Sequence, residues 1–144
     1  MTRYLLDVNV LIALIDPAHV QHDRAHDWFA AKGKKAWATC PLTENGVLRI
    51  VGHPRYPSSP GTPAAVAELM SILLGLGGHE FWPDEISLLD AQRINSSRLL
   101  DSGQVTDTYL LALACAHRGQ LATFDRHLVT GAVLDGSRAL HLIV

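Results

Sequence analysis

Four acidic residues of this chain lie where a folded protein seldom places a carboxylate. Asp7 interrupts an apolar run, Asp125 ends a strand-like segment, and Glu44 and Asp107 each follow a threonine at the start of a helical pattern. An ionised carboxylate in apolar surroundings is unfavourable unless it is paired or binds a metal, and several together repel one another. Because all-oxygen ligation suits Mg²⁺ or Mn²⁺ rather than zinc, the four acids are predicted to be ligands of such an ion.

The predicted positions of these acids along the secondary structure favour a common site. Asp7 and Asp125 follow strands, whereas Glu44 and Asp107 lie in the first turns of helices. Ligands of open α/β sheets bind outside the carboxyl ends of the strands, so residues far apart in sequence can meet there. Each acid taken alone is also explained as a helix cap or as a first-turn acid that the helix dipole favours. The joint pattern is therefore more specific than any of its members.

Two neutral residues adjoin the predicted ligands. Asn9 and Thr123 lie two positions from Asp7 and Asp125, where they can add oxygen donors or orient the carboxylates. A divalent cation in such a site activates water and neutralises charge on a phosphoryl group. The chain contains no G-x-x-x-x-G-K-[ST] phosphate loop. We therefore expect hydrolysis of a phosphodiester rather than use of a nucleotide.

The elements that must position these residues alternate between short apolar runs and longer helical stretches. This pattern predicts an α/β fold with a central, mainly parallel β-sheet flanked by helices. Strands are predicted at 3–6, 36–40, 79–82, 120–124 and 140–144. Helices are predicted at 8–15, 19–31, 43–51, 63–76, within 87–100 and at 107–117, with a helical turn at 126–130. No linker or repeat interrupts the pattern, which predicts a single domain over residues 1–144.

Composition narrows the class of protein. The 144 residues are 48% apolar and 18% charged with a net charge of −2, which is typical of a globular domain and counts against broad, nonspecific coating of nucleic acid. Cys40 and Cys115 match no metal or redox spacing, so both are predicted to be reduced core residues. The N-terminus resembles neither a signal peptide nor a membrane span. We expect a cytoplasmic protein with no membrane partner.

Four segments, in order and across nearly the whole chain, resemble the PIN-domain ribonucleases, and among them the VapC toxins. They are LLDVNVLIAL at 5–14, TENGVLR at 43–49, TDTYLLALA at 106–114 and LATFD at 121–125. By this resemblance Asp7, Glu44, Asp107 and Asp125 match the four family acids. Asn9 fills a polar position that is often Ser or Thr. The His-Pro-Arg turn at 53–55 also occurs in some of these toxins.

The resemblance implies a function as well as a fold. It implies a Mg²⁺- or Mn²⁺-dependent endoribonuclease toxin that cleaves RNA to leave a 5′-phosphate and a 3′-hydroxyl. It further implies a homodimer held inactive by a cognate VapB-type antitoxin. The apolar helices and the acidic pocket favour an inhibitor that is basic, partly disordered and able to supply an arginine to the acids.

Other interpretations stay open at the level of sequence. His19, His22 and His26 fall on one helix face and resemble a shortened H-E-x-x-H motif, the basis for a zinc-dependent hydrolase, although no third ligand is evident. A noncatalytic binding module with an acidic pocket is a second alternative. A phosphoacceptor domain built on Asp7 lacks the second aspartate, because Asn9 occupies that position.

Basic and aromatic residues supply further candidates for RNA contact. Each arginine is also explained as an ordinary surface or helix-end charge, and the spacing of the tryptophans favours core packing. The candidate phosphate contacts are Arg49, Arg55, Arg93 and Arg118, and the candidate stacking residues are Trp28, Trp37 and Trp82.

Overall fold

A five-stranded, entirely parallel sheet forms the centre of the computed structural model, which describes residues 1–144. Its strands are β1 Tyr4–Leu6, β2 Trp37–Thr39, β3 His79–Phe81, β4 Gln120–Thr123 and β5 Leu140–Leu142. Their spatial order is β3-β2-β1-β4-β5, with every neighbouring pair parallel. The carboxyl ends of all five strands therefore lie along one edge, and β1 is central. The sequence predicted a mainly parallel sheet, and the sheet is parallel throughout.

Five α-helices cover the two faces of this sheet. They are α1 Val8–Ile15, α2 His22–Ala31, α3 Pro41–Val51, α4 Pro63–Leu74 and α5 Val105–Ala116. One apolar cluster packs the four helices α1, α2, α3 and α4 against the sheet face that includes Leu6 and Trp37. The other joins α5 to the opposite face, which includes Leu5 and Leu121. Adjacent strand residues point to opposite faces, so Leu5 and Leu6 enter different layers. None of the helices has the length and apolar character needed to cross a membrane.

The remaining sequence-based expectations for the core are confirmed in most respects. Trp28, Trp37 and Trp82 are buried, which assigns them to packing rather than to base stacking. Cys40 is buried, Cys115 is half-buried, and neither forms a disulfide.

Two predicted helical segments are wrong, and one helix begins later than expected. The segment 87–100 forms turns and a three-residue 3₁₀ helix at Ser96–Arg98. Its polar side chains bond to the local backbone instead of leaving it free to form a helix, and Asp90, for example, accepts from the backbone N–H of Gln92. The segment 126–130 is a turn for the same reason, since Asp125 accepts from the backbone N–H of His127. Helix α2 begins at His22 rather than at 19.

Local hydrogen bonds position the helices around the sheet. The Thr62 hydroxyl accepts from the backbone N–H of Ala65 and caps α4, as its sequence predicts. The loop between α3 and α4 is fastened to the end of α1 by the Tyr56 hydroxyl, which donates to the buried carboxylate of Asp16 at 2.5 Å. Burial and this carboxylate raise the pKa of Tyr56 to about 12. The loop is thus held against the helix that follows β1.

Candidate active site

Asp7 lies at the carboxyl end of the central strand, between β1 and α1. Its backbone N–H donates to the carbonyl of Ala122, which continues the pairing of β1 with β4 by one residue. One carboxylate oxygen, Oδ1, accepts from the backbone N–H of Val8 at 2.8 Å, so Asp7 is also the N-cap of α1. The other, Oδ2, accepts from the Thr123 hydroxyl at 2.8 Å. Burial nonetheless raises the pKa of Asp7, whose side chain is 8% exposed.

Thr123 connects Asp7 to Asp125. Its fully buried hydroxyl accepts from the backbone N–H of Asp125 at 3.1 Å while donating to Asp7. An N–H can only donate, so the single hydroxyl proton points to Asp7. The predicted supporting residue Thr123 therefore orients the carboxylate of Asp7 and holds the backbone of Asp125. The exposed carboxylate of Asp125 adds to the raised pKa of Asp7.

Asp107 completes a cluster of three aspartates. It lies in the first turn of α5, and its pKa is raised to about 6, first by burial and then by the charges of Asp7 and Asp125. No basic side chain offsets this repulsion, because the three ion pairs of the protein all lie elsewhere. The structure thus places Asp7, Asp107 and Asp125, three of the four predicted acids, close enough for their charges to interact.

Glu44 lies in the first turn of α3 and is held by a separate set of contacts. Its Oε2 accepts from the fully buried hydroxyl of Thr39 at 2.6 Å, and this hydroxyl lies 2.7 Å from Nε2 of His79. Because the hydroxyl proton is directed to Glu44, His79 must donate its Nε2 proton to Thr39. Burial lowers the pKa of His79, which keeps the imidazole neutral at pH 7. Asp7 and Asp125, rather than Glu44, are the charges that act on Asp107.

Sequence reasoning missed Thr39 and His79. Thr39 is the last residue of β2 and His79 the first of β3, so both belong to the strands on the Glu44 side of β1. A polar residue at the carboxyl end of an apolar strand is the signal that identified Asp7. The same signal was present at Thr39, in the segment Ala36-Trp37-Ala38-Thr39-Cys40.

The chemistry of the acids fits a hard divalent cation. They offer only oxygen donors, and their negative charge is not neutralised by the protein. Nowhere do three His, Cys, Asp or Glu side chains form a group already arranged to hold a metal ion. Mg²⁺ usually binds through only one or two carboxylates and keeps several waters, so such an ion does not require a closed protein cage.

The histidines of the zinc alternative have other partners. His22 and His26 bind, through one ring nitrogen each, the carbonyls of Ala13 and Leu14 in the last turn of α1. His19 accepts from the backbone N–H of Gln21. The contacts of His22 and His26 fasten α2 to the end of α1, a role that histidines often take at helix C-termini.

The remaining predicted contacts lie on the surface. Asn9 is exposed on the first turn of α1, beside the acids. The four arginines proposed from sequence are exposed, and Arg93 pairs with Asp90.

Comparison with known proteins identifies clear relatives. The model of the PIN domain matches residues 4–132. Ribonuclease VapC44 of Mycobacterium tuberculosis is 46% identical over 140 residues, which cover 97% of each chain. Ribonuclease VapC39 of the same species is 40% identical over 128 residues, covering 89% of this chain and 92% of the relative. A toxin–antitoxin complex from Klebsiella pneumoniae has a similar fold, with a TM-score of 0.62, 18% identity and 98% of both chains covered.

Proposed function

The chain belongs to the PIN-domain family, and on that premise we propose that it is a Mg²⁺- or Mn²⁺-dependent endoribonuclease of the VapC toxin type. The two ribonucleases to which it is 46% and 40% identical support the activity. The observation that carries the proposal is the group of three mutually repelling aspartates at the end of the central strands, with no basic side chain to neutralise them.

Each acid has a distinct part in the proposed site. Asp7 is the most firmly held, because both of its oxygens accept hydrogen bonds from fixed donors. Asp107 and Asp125 add the charge that attracts a cation, and Glu44 is oriented by Thr39 at the other side of the central strand. A bound Mg²⁺ or Mn²⁺ would supply activation of water and neutralisation of charge on the phosphoryl group. The acids must be ionised to bind it, which links activity to their protonation.

We extend the proposal to the partners of a VapC toxin, namely RNA, a VapB-type antitoxin and a second copy of the chain. The toxin–antitoxin complex from Klebsiella pneumoniae, whose fold is similar to that of this chain, supports the antitoxin. An open apolar groove between α1 and α4, lined by residues that include Leu14, Leu69 and Ile72, offers a surface for a protein partner. Coexpression with the adjacent reading frame should yield a complex that does not cleave RNA. Recovery of the chain alone and active would contradict this part.

The activity is tested by incubating the purified protein with total RNA in Mg²⁺ and in EDTA. We expect cleavage with Mg²⁺ only, with 5′-phosphate ends, and its loss in Asp7→Asn. The matched control is Asp23→Asn, because Asp23 is an exposed aspartate on α2. Cleavage that persists in EDTA would refute the metal dependence. A wild-type protein that binds RNA without cleaving it would instead favour the noncatalytic binding module.

A further inference from the structure

An open pocket of about 370 Å³ adjoins the acid cluster on the side of α1 and α2. Its lining is mostly polar and consists of Asn9, His19, Gln21, Phe124 and Asp125. Asp125 belongs both to this pocket and to the group of three aspartates. A ligand in the pocket would therefore lie next to the acids.

The pocket presents hydrogen-bonding groups that the protein does not use. The ring of His19 accepts from the backbone N–H of Gln21 through Nδ1 at 3.0 Å. Because that nitrogen must be the acceptor, the neutral ring carries its proton on Nε2, which is left as a free donor. The carboxamides of Asn9 and Gln21 make no hydrogen bond within the protein, and each offers both a donor and an acceptor.

The aromatic ring of Phe124 lines the same pocket, and a cation lies against that ring. The guanidinium of Arg24 lies 5.1 Å from the centroid of the Phe124 ring. It is held there by a 3.1 Å hydrogen bond to the carbonyl of Ile143. Arg24 was not among the arginines that the sequence suggested for phosphate contact. Arg24 itself lines a different pocket, together with Ile143, and is connected to this one through its contact with Phe124.

These features together match one nucleotide of an RNA strand. Carboxamides and an N–H donor are suited to the edges of a base and an aromatic ring to its face, and a guanidinium on that ring is suited to a phosphate of the same strand. We propose that this pocket binds a nucleotide adjacent to the cleaved bond and so contributes to the choice of cleavage site. This inference rests on the proposed function. The residues assigned to it are Asn9, His19, Gln21 and Phe124, and Arg24 contacts the ring of Phe124 from outside the pocket.

The substitution His19→Asn tests the pocket without disturbing the turn. The asparagine oxygen can still accept from the backbone N–H of Gln21, but the donor at the position of Nε2 is lost. His53→Asn is the matched control, because His53 accepts from the backbone N–H of Arg55 through Nδ1 at 3.0 Å in the same way, at an exposed site outside the pocket. A second variant, Gln21→Met, removes the carboxamide but keeps the length of the side chain and the backbone N–H.

The assay is cleavage of a randomised-sequence 20-nucleotide RNA pool, with kinetic analysis and sequencing of the cut ends. Loss of one hydrogen bond to substrate predicts a KM about 2- to 10-fold higher in His19→Asn and in Gln21→Met, with kcat and melting temperature little changed. The base preference next to the cut should broaden in both variants, whereas His53→Asn should match the wild type. A purely structural role would lower the melting temperature and leave the cut sites unchanged, and that result would overturn the inference.

A binding measurement separates failure of the pocket from failure of the nuclease. The amide NMR spectrum of the wild-type protein in EDTA is titrated with AMP, GMP, CMP and UMP. We expect at least one nucleotide to shift the amide signals of Gln21 and Phe124, and His19→Asn to weaken that shift. If the wild type cleaves RNA but these signals do not move and the variants cut as before, the pocket is refuted and the activity stands. If it cleaves nothing, the titration alone decides whether the pocket binds nucleotides.

Discussion

Neutralising Asp107 should stabilise the protein in the absence of a divalent cation. The pKa of this carboxyl is raised from 3.8 to about 6 by burial and by Asp7 and Asp125, so ionising it at pH 7 opposes folding. The unfolded chain releases this proton near pH 4, whereas the folded chain keeps it until about pH 6. Stability therefore falls as pH rises through this window, and Asp107→Asn removes that loss.

The size of the effect follows from the shift and from two corrections. A shift of about two units corresponds to at most ~3 kcal/mol at 1.36 kcal/mol per unit. Asp107 is only half-buried, so solvent screening reduces this to about 1–2 kcal/mol. Loss of a first-turn acid from α5 costs about 0.3–1 kcal/mol. We expect a net gain of about 1 kcal/mol near pH 7, or roughly 2–4 °C in melting temperature.

Thermal unfolding of the wild type and Asp107→Asn, followed by circular dichroism in EDTA, measures this gain. Glu44→Gln is the matched control, since Glu44 is also a first-turn acid but accepts from Thr39 and does not act on Asp107. We expect Glu44→Gln to be neutral or destabilising. The difference between wild type and Asp107→Asn should shrink as the buffer is brought toward pH 4. Added Mg²⁺ should stabilise the wild type more than the variant.

The reasoning is refuted by either of two results. An unchanged or lower melting temperature for Asp107→Asn in EDTA at neutral pH would show that the three aspartates do not repel one another in the folded state. A gain of the same size at pH 4 and pH 7 would show that the stabilisation does not come from removing a charge.

Three further outcomes are expected. Thr123→Val should destabilise the protein by about 1.5–3 kcal/mol in urea unfolding, because it removes the hydroxyl that donates to buried Asp7. Thr123→Ser keeps that hydroxyl and should lose less stability, so equal losses in the two variants would contradict this reasoning. Tyr56→Phe should lower stability by about 2 kcal/mol in the same assay, because the buried carboxylate of Asp16 loses a partner; no loss would show that water replaces the hydroxyl. RNA cleavage should decline as pH falls through about 6, where Asp107 takes up a proton, and a higher Mg²⁺ concentration should move the midpoint of this decline to lower pH. Initial rates measured across pH at two Mg²⁺ concentrations test this, and a midpoint that stays fixed would contradict it.

The sequence was sufficient to predict a mainly parallel sheet, because the strands and helices that alternate along the chain are marked by short-range patterns. Strand β1 and helix α1 were predicted within one residue, since an apolar run that ends in Asp7 marks both a strand end and a helix cap. The parallel arrangement then brings Asp7 and Asp125 to one edge. The helix predicted within 87–100 failed because polar side chains compete locally for the backbone, and such competition is decided by tertiary contacts that periodicity does not record.

The contacts of the individual acids were beyond sequence reasoning. Glu44 was predicted to share a site with the other acids, but its hydrogen bond to Thr39, a residue that reads as an ordinary strand position, was not predicted. The link from Thr39 to His79 spans 40 residues and depends on the pairing of β2 with β3. Side-chain hydrogen bonds between residues this far apart follow from strand order and register, neither of which a single sequence specifies.

The two strands that flank β1 end in the same way, each with a fully buried threonine whose hydroxyl donates to an acid. Thr39 fixes the rotamer of Glu44, and Thr123 fixes that of Asp7. A lysine or arginine in either place would fix the carboxylate as well, but it would also cancel the charge. An uncharged donor orients the carboxylate without neutralising its charge. Each carboxylate is therefore oriented before a cation arrives, and it keeps the negative charge that attracts the cation.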